Sequence, residues 1–167
     1  KTLEDDAIVE AVRRQEAVGL DSITDGEFRR DWWHLDFLAR LDGVTLKENP
    51  GPKFKIEGQS EQPPIPTVTG RIACSEPIMA DHFAFLKSVT KKTAKMTIPS
   101  PSMLHLRGGR ASISKEIYPD LAEVRADVSA ASPVAIRPLS HAGCRDLQPA
   151  HTPMRPTRHR PPKGRPH

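Results

Sequence analysis

Apolar residues recur at helical spacing near the start of the chain, where Ala7, Ile8, Ala11 and Val12 fall on one face. Thr2 and Asp5 form a capping-box-like pair ahead of this run, which predicts a helix to about Val18, with Gly19 as its stop. The short run 20–24 predicts a strand, and Asp25-Gly26-Glu27-Phe28-Arg29-Arg30 follows it as a polar elbow. Asp31 is placed to cap a second helix, 32 to about 41, which Asp42-Gly43 closes. Six prolines between 44 and 77 forbid long helices there. The stretches 53–57 and 67–73 alternate like strands, so 44–77 reads as a hairpin-like insertion. Helix periodicity returns over 78–89 with Met79, Phe83 and Leu86 on one side. A strand over 95–98 stops at Pro99, a loop fills 100–110, and a helix spans 120 to about 141 on Leu121, Val124 and Val128. A last strand is expected over 145–148.

Helices alternating with three short strands predict an α/β fold with parallel strands. A closed eight-stranded α/β barrel needs about 200–250 residues, and this chain has 167, so a barrel reading makes it an incomplete barrel.

Charge sharpens the organisation. Lys and Arg number 25 against 21 Asp and Glu, a net +4. Residues 146–167 carry that whole excess: Arg155, Arg158, Arg160, Lys163 and Arg165 face one acid, Asp146. Residues 1–145 are neutral, so basicity gives no general argument for nucleic-acid binding there. Six prolines and no apolar period make 149–167 a disordered Pro/Arg-rich tail. No stretch approaches the roughly 18 apolar residues of a membrane span. The chain opens KTLEDDAIVE, without Met or an apolar signal core, and reads as the middle of a gene product. Cys74 and Cys144, 70 positions apart, are expected as reduced thiols in a cytoplasmic protein.

Reactive groups in α/β folds cluster past the carboxyl ends of the strands. Two loops qualify. In the first, Gly26 turns the chain and Glu27 emerges beside a strand end, where a carboxylate can hold a substrate ammonium. The competing reading is a solvated loop in which Asp25, Glu27, Arg29 and Arg30 simply pair with each other. The second loop, 100–110, offers Ser100, Ser102, His105 and Arg107 to an anion, or is merely a proline-stiffened connection. Trp32-Trp33-His34 holds both tryptophans. Packing is the expectation for at least one of them, and His34 stays open. His141 and Cys144 share i, i+3 spacing, but zinc takes about three or four protein ligands, so no metal site is expected in this chain. Neither cysteine sits in a nucleophile context, and no catalytic residue is assigned.

Ile23-Thr24-Asp25-Gly26-Glu27-Phe28-Arg29-Arg30, with Trp32-Trp33-His34-Leu35-Asp36-Phe37-Leu38 and Leu41-Asp42-Gly43, resembles the cobalamin-independent methionine synthase family, above all its short single-barrel bacterial members. The segment from Lys95 to His105, Arg107-Gly108-Gly109-Arg110, Ser114-Lys115-Glu116, Tyr118-Pro119-Asp120-Leu121 and Ala142-Gly143-Cys144-Arg145 continue the likeness in order. The resemblance implies an α/β chain that is an incomplete TIM (β/α)8 barrel over 1–148. It implies methyl transfer from a methyltetrahydrofolate-type donor to homocysteine, with Zn²⁺ stabilising the thiolate. Glu27 matches the family glutamate that holds the homocysteine amino group. Asp25 and His34 lie in the same block, and Ser100 and Ser102 line the next loop by position, so these five are the candidate substrate-binding residues.

The departures are specific. The family's zinc ligands, a His-x-Cys pair, a Glu and a further Cys, fall beyond the matched region and have no counterpart here. An acidic pair expected after the last strand reads Ala150-His151. Pro133 and Pro138 are expected to interrupt the last helix. The tail from about Thr152 is expected to be an out-of-frame translation, and these 167 residues alone are expected to be inactive. Two other readings compete: a basic-tailed binding protein for nucleic acid or an acidic partner, and a barrel like the uroporphyrinogen decarboxylases. The tail has no aromatic residue to stack bases, which argues against nucleic acid. The sequence does not define the oligomeric state.

Overall fold

A computed structural model describes residues 2–49, 54–56, 59–106 and 108–150. Helix α1 spans Thr2–Ala17 and buries Ile8 and Val12. It ends as Gly19 predicts: that glycine takes φ +84°, its N–H donates to the Glu16 carbonyl, and the Leu20 N–H reaches the Gln15 carbonyl. Thr2, however, already lies within the helix, so it is not the cap. Asp5 accepts from the Arg29 guanidinium instead of closing a capping box.

Strand β1 (Ser22–Ile23), β6 (Thr93–Pro99) and β7 (Asp146–Ala150) form one parallel sheet in the order β1-β6-β7. These are the three strands the apolar runs predict, neighbours in space and consecutive among the parallel strands. The last runs two residues beyond Gln148, so Pro149 and Ala150, assigned above to the tail, are in the sheet. Pro149 fits because β7 is paired on one side only among the described residues, and a sheet edge tolerates the missing N–H. Residues 151–167, the rest of the expected tail, lie outside the described residues.

Alternation along β6 gives the sheet two unlike faces. Ala94, Met96 and Ile98 are buried among residues of α1, α3 (Ala80–Val89) and α5 (Leu121–His141). Lys95 and Thr97 alternate with them and are half-buried, and Ser22 donates across to Asp146.

The second helix is far shorter than expected. Only α2, Leu35–Leu38, is helical; Asp31 does not cap it, and the Trp32 N–H donates to the Asp36 carboxylate at 2.7 Å. Between α2 and α3 the chain runs antiparallel: β2 (Asp42–Lys47) pairs with β5 (Ile65–Ala73), and β3 (Phe54–Ile56) with β4 (Gln59–Glu61). The excursion thus starts two residues before 44. Gly43, at φ +75°, lets β2 approach β5 at a register shift; a Cβ there would lie 2.4 Å from the Arg71 carbonyl oxygen.

This excursion is tied to α5 by Tyr118, which is fully buried. Its hydroxyl accepts from the Ile72 N–H at 2.8 Å and donates to Asp127 at 2.5 Å. Arg71 lies over the ring at 4.6 Å and pairs with Glu123 and Asp127. Helix α5 is capped by Asp120, which accepts from the Ala122 N–H at 2.9 Å. It runs unbroken through Pro133 and Pro138, contrary to expectation. The buried stripe Val124, Val128, Ala131, Ala135 and Leu139 holds it against the core, offsetting a cost of about 3 kcal/mol per interior proline.

The 100–110 loop is partly helical: α4 covers Met103–Leu106, with Met103 and Leu104 buried, and a 3-10 turn covers Gly109–Ser112. Met103 and Leu104 draw the chain inward, an effect the flanking prolines masked in the sequence.

Candidate functional site

Both loops singled out from the sequence emerge at carboxyl ends of parallel strands. After β1, Asp25 turns inward and is 2% exposed. One of its carboxylate oxygens accepts the Glu27 N–H at 3.0 Å, closing a side-chain-to-backbone turn. Gly26 and Glu27 both take left-handed backbone, at φ +65° and +62°. Glycine adopts that conformation freely; for a glutamate it costs roughly 1–2 kcal/mol. Strain of this kind gathers at sites where side-chain direction matters more than stability.

The turn delivers Glu27 to a half-exposed position, its carboxylate 3.6 Å from the Arg30 guanidinium. Arg30, named from the sequence only as pairing with its loop neighbours, makes such pairs and also reaches β6. Its side chain is 0% exposed, and it lies 3.5 Å from the second oxygen of Asp25. It donates to the Thr97 carbonyl at 2.9 Å and lies against the Met96 sulfur. No local signal marked this role, because Thr97 is 67 residues away along the chain. Two carboxylates about one guanidinium leave a formal charge of −1, a match for one ammonium group. The paired-charge reading of this loop and the site reading are therefore both present. Arg29 belongs to neither: it lies over the Phe85 ring at 4.5 Å and binds Asp5.

After β6, Ser100 is buried, its N–H donates to the Ala150 carbonyl, and its hydroxyl lies 2.8 Å from that of Ser102. An apolar cavity of about 50 Å³ borders this loop, lined among others by Phe37, Leu41, Ile98, Val128 and Ile136. None of the residues around it is charged. His34 is 2% exposed and its ring centroid sits 5.0 Å from that of Trp33. Of the five candidates, the structure joins Asp25 to Glu27 and Ser100 to Ser102. The side chains of His105 and Arg107, named with the second loop, lie outside the described residues.

Among the described residues, no three His, Cys, Asp or Glu side chains come together to hold a metal ion. These residues therefore do not fit the zinc that the resemblance implies, and no chemical step is drawn through it. Burial raises the pKa of both the Cys74 and Cys144 thiols, which disfavours the thiolate. No helix of the described residues is long and apolar enough to cross a membrane.

No protein-family profile matches this sequence. YxjG, an uncharacterised protein of Bacillus subtilis, is 41% identical over 152 residues, spanning 89% of this chain and 39% of its own length. The methionine synthase of Sulfolobus acidocaldarius is 35% identical over 97 residues, 58% of this chain and 27% of that protein. A solved structure from Listeria monocytogenes, described as a candidate vitamin-B12-independent methionine synthase, is 38% identical with a TM-score of 0.70, covering 89% of this chain and 41% of that one. The chain resembles the cobalamin-independent methionine synthase family. A B12-independent methionine synthase from Shewanella sp. W3-18-1 shares its fold, at 21% identity and a TM-score of 0.65 over 87% of this chain and 40% of that one. This chain spans about two fifths of the length of YxjG and of the Listeria monocytogenes structure.

Proposed function

We propose that β1, β6 and β7 are three consecutive strands of a (β/α)8 barrel and that the barrel belongs to a homocysteine methyltransferase. Three features support the barrel: parallel strands adjacent in chain order, helical crossovers between them, and polar loops at their carboxyl ends. The proposed reaction moves a methyl group from a methyltetrahydrofolate-type donor to the sulfur of homocysteine, giving methionine.

The observation that carries this reading is the half-exposed Glu27 carboxylate, held in left-handed backbone at a strand end beside Asp25 and Arg30. Homocysteine carries an ammonium, a carboxylate and a thiol. Glu27 accepts the ammonium in a charge-assisted hydrogen bond. Asp25 fixes the turn that aims Glu27, and Ser102 offers a hydroxyl to the substrate carboxylate. With the amino-acid end held, the sulfur is oriented toward the methyl donor, which lowers the entropic part of the barrier. His34 is proposed as a wall of the same site through Trp33. Zinc, if the whole protein binds it, would lower the thiol pKa; the described residues offer it no ligand set. The 167 residues alone are therefore proposed to bind the amino acid without turning it over. A soluble, cytoplasmic enzyme acting on two small molecules is the setting proposed for the whole protein.

Titration of the isotope-labelled chain with L-methionine, followed by amide NMR, tests this. The expected result is saturable shifts over 24–30, needing about tenfold more ligand in Glu27→Gln, with no methionine formed from homocysteine and methyltetrahydrofolate in the presence of zinc. Shifts confined to other segments, or none, would overturn the assignment.

A further inference from the structure

We propose that Arg30 is a positioning residue for the amino-group clamp, acting through Asp25 and Glu27 rather than on substrate; this rests on the function proposed above. Its guanidinium is fully enclosed and bridges two strands of the sheet. On the β6 side it donates to the Thr97 carbonyl at 2.9 Å and lies 2.9 Å from the Met96 sulfur. On the β1 side it lies 3.5 Å from Asp25 and 3.6 Å from Glu27.

The distances define the role. Neither carboxylate contact is a hydrogen bond, and the second oxygen of the buried Asp25 has no hydrogen-bond donor among the described residues. A bidentate Arg–Glu pair would consume the acceptor capacity of Glu27. At 3.6 Å, Arg30 instead places a positive charge beside two neighbouring carboxylates while leaving the Glu27 oxygens free for an ammonium. Burial makes this arrangement asymmetric. Removing the guanidinium leaves the buried Asp25 carboxylate without its ion-pair partner, and Asp25 is what holds the Glu27 N–H. Loss of Arg30 thus releases the turn at Glu27, although Arg30 itself touches no ligand.

The probes are L-methionine and its desamino analogue, 4-(methylthio)butanoate, titrated against the full chain and its Glu27→Gln, Arg30→Gln and Arg30→Lys variants. A clamp for the ammonium makes the wild-type chain prefer L-methionine. Arg30→Gln is expected to cut that preference about tenfold, as Glu27→Gln does, while affinity for the desamino analogue holds. Arg30→Lys, which keeps the charge without the planar fork, is expected to restore part of the preference. Amide hydrogen exchange at Glu27 is expected to quicken in Arg30→Gln and not in α5. If Glu27→Gln loses the preference and Arg30→Gln keeps it, the inference falls and the proposed function stands. If wild type shows no preference or no binding, both fall together. Equal weakening of both ligands in Arg30→Gln makes Arg30 merely structural and overturns the inference. Should Arg30→Gln not fold, Arg30→Lys decides: a preference reduced but not lost, with affinity for the desamino analogue held, supports the inference, and an unchanged preference or equal weakening of both ligands defeats it.

Discussion

Replacing Tyr118 with Phe removes a single oxygen from a fully buried ring and leaves the packing volume intact, so no cavity term enters. The lost hydroxyl does two jobs: it accepts from the Ile72 N–H and donates to Asp127. The Ile72 N–H is then left inside the protein without an acceptor. A lost hydrogen bond and an orphaned buried donor together cost about 2–3 kcal/mol. That is a large share of the roughly 5–15 kcal/mol that stabilises an ordinary domain. Urea denaturation followed by circular dichroism reads the loss as a lower midpoint at unchanged slope. Asp127→Asn is the control: it keeps the Ile72 bond and costs less than Tyr118→Phe. Burial, and then the bond to Asp127, raise the Tyr118 pKa above its ordinary 10. The folded state thus holds its proton more tightly than the unfolded state. The associated stability is present below pH 10 and lost as the pH rises through the folded value. A Tyr118→Phe loss below about 1 kcal/mol would refute the reasoning, as would an equal loss in Asp127→Asn.

Two further outcomes are expected. Gly43→Ala places a Cβ 2.4 Å from a backbone carbonyl oxygen at φ +75°, where no flexible side chain can yield; urea melts should show a loss of at least about 2 kcal/mol. Burial lowers the His82 pKa from 6.5, with Arg29 and Arg30 acting in the same direction and Asp81 and Asp25 against it. The unfolded imidazole therefore takes up a proton the folded one resists, so stability is full above pH 6.5 and declines as the pH falls below it. Melts at a series of pH values should show this slope in the wild type and a shallower one in His82→Asn.

What the chain's pattern reveals, and what it conceals, follows the range of the interactions. The strands at β1, β6 and β7 are short apolar runs between turn residues, and Gly19 and Asp120 end and start helices by local chemistry. All of these were legible. The collapse of 32–41 to the single turn Leu35–Leu38 was not. Strand β2 was missed because its pairing with β5 joins residues some twenty apart, and only Val44 within it is buried. The prolines of α5 misled in the opposite direction, since the buried stripe outweighs their local cost. At the site, the strand-end position of Glu27 was readable from the Gly26 turn. The reach of Arg30 to β6 was not, because Met96 and Thr97 lie on a strand that the antiparallel excursion separates from it.

The most direct measurement is a crystal structure of this chain grown with L-methionine. The account predicts the amino nitrogen about 3 Å from a Glu27 carboxylate oxygen, with the side chain directed across the carboxyl ends of β1 and β6. An amino acid bound elsewhere, or one seated there with its ammonium turned from Glu27, would contradict it.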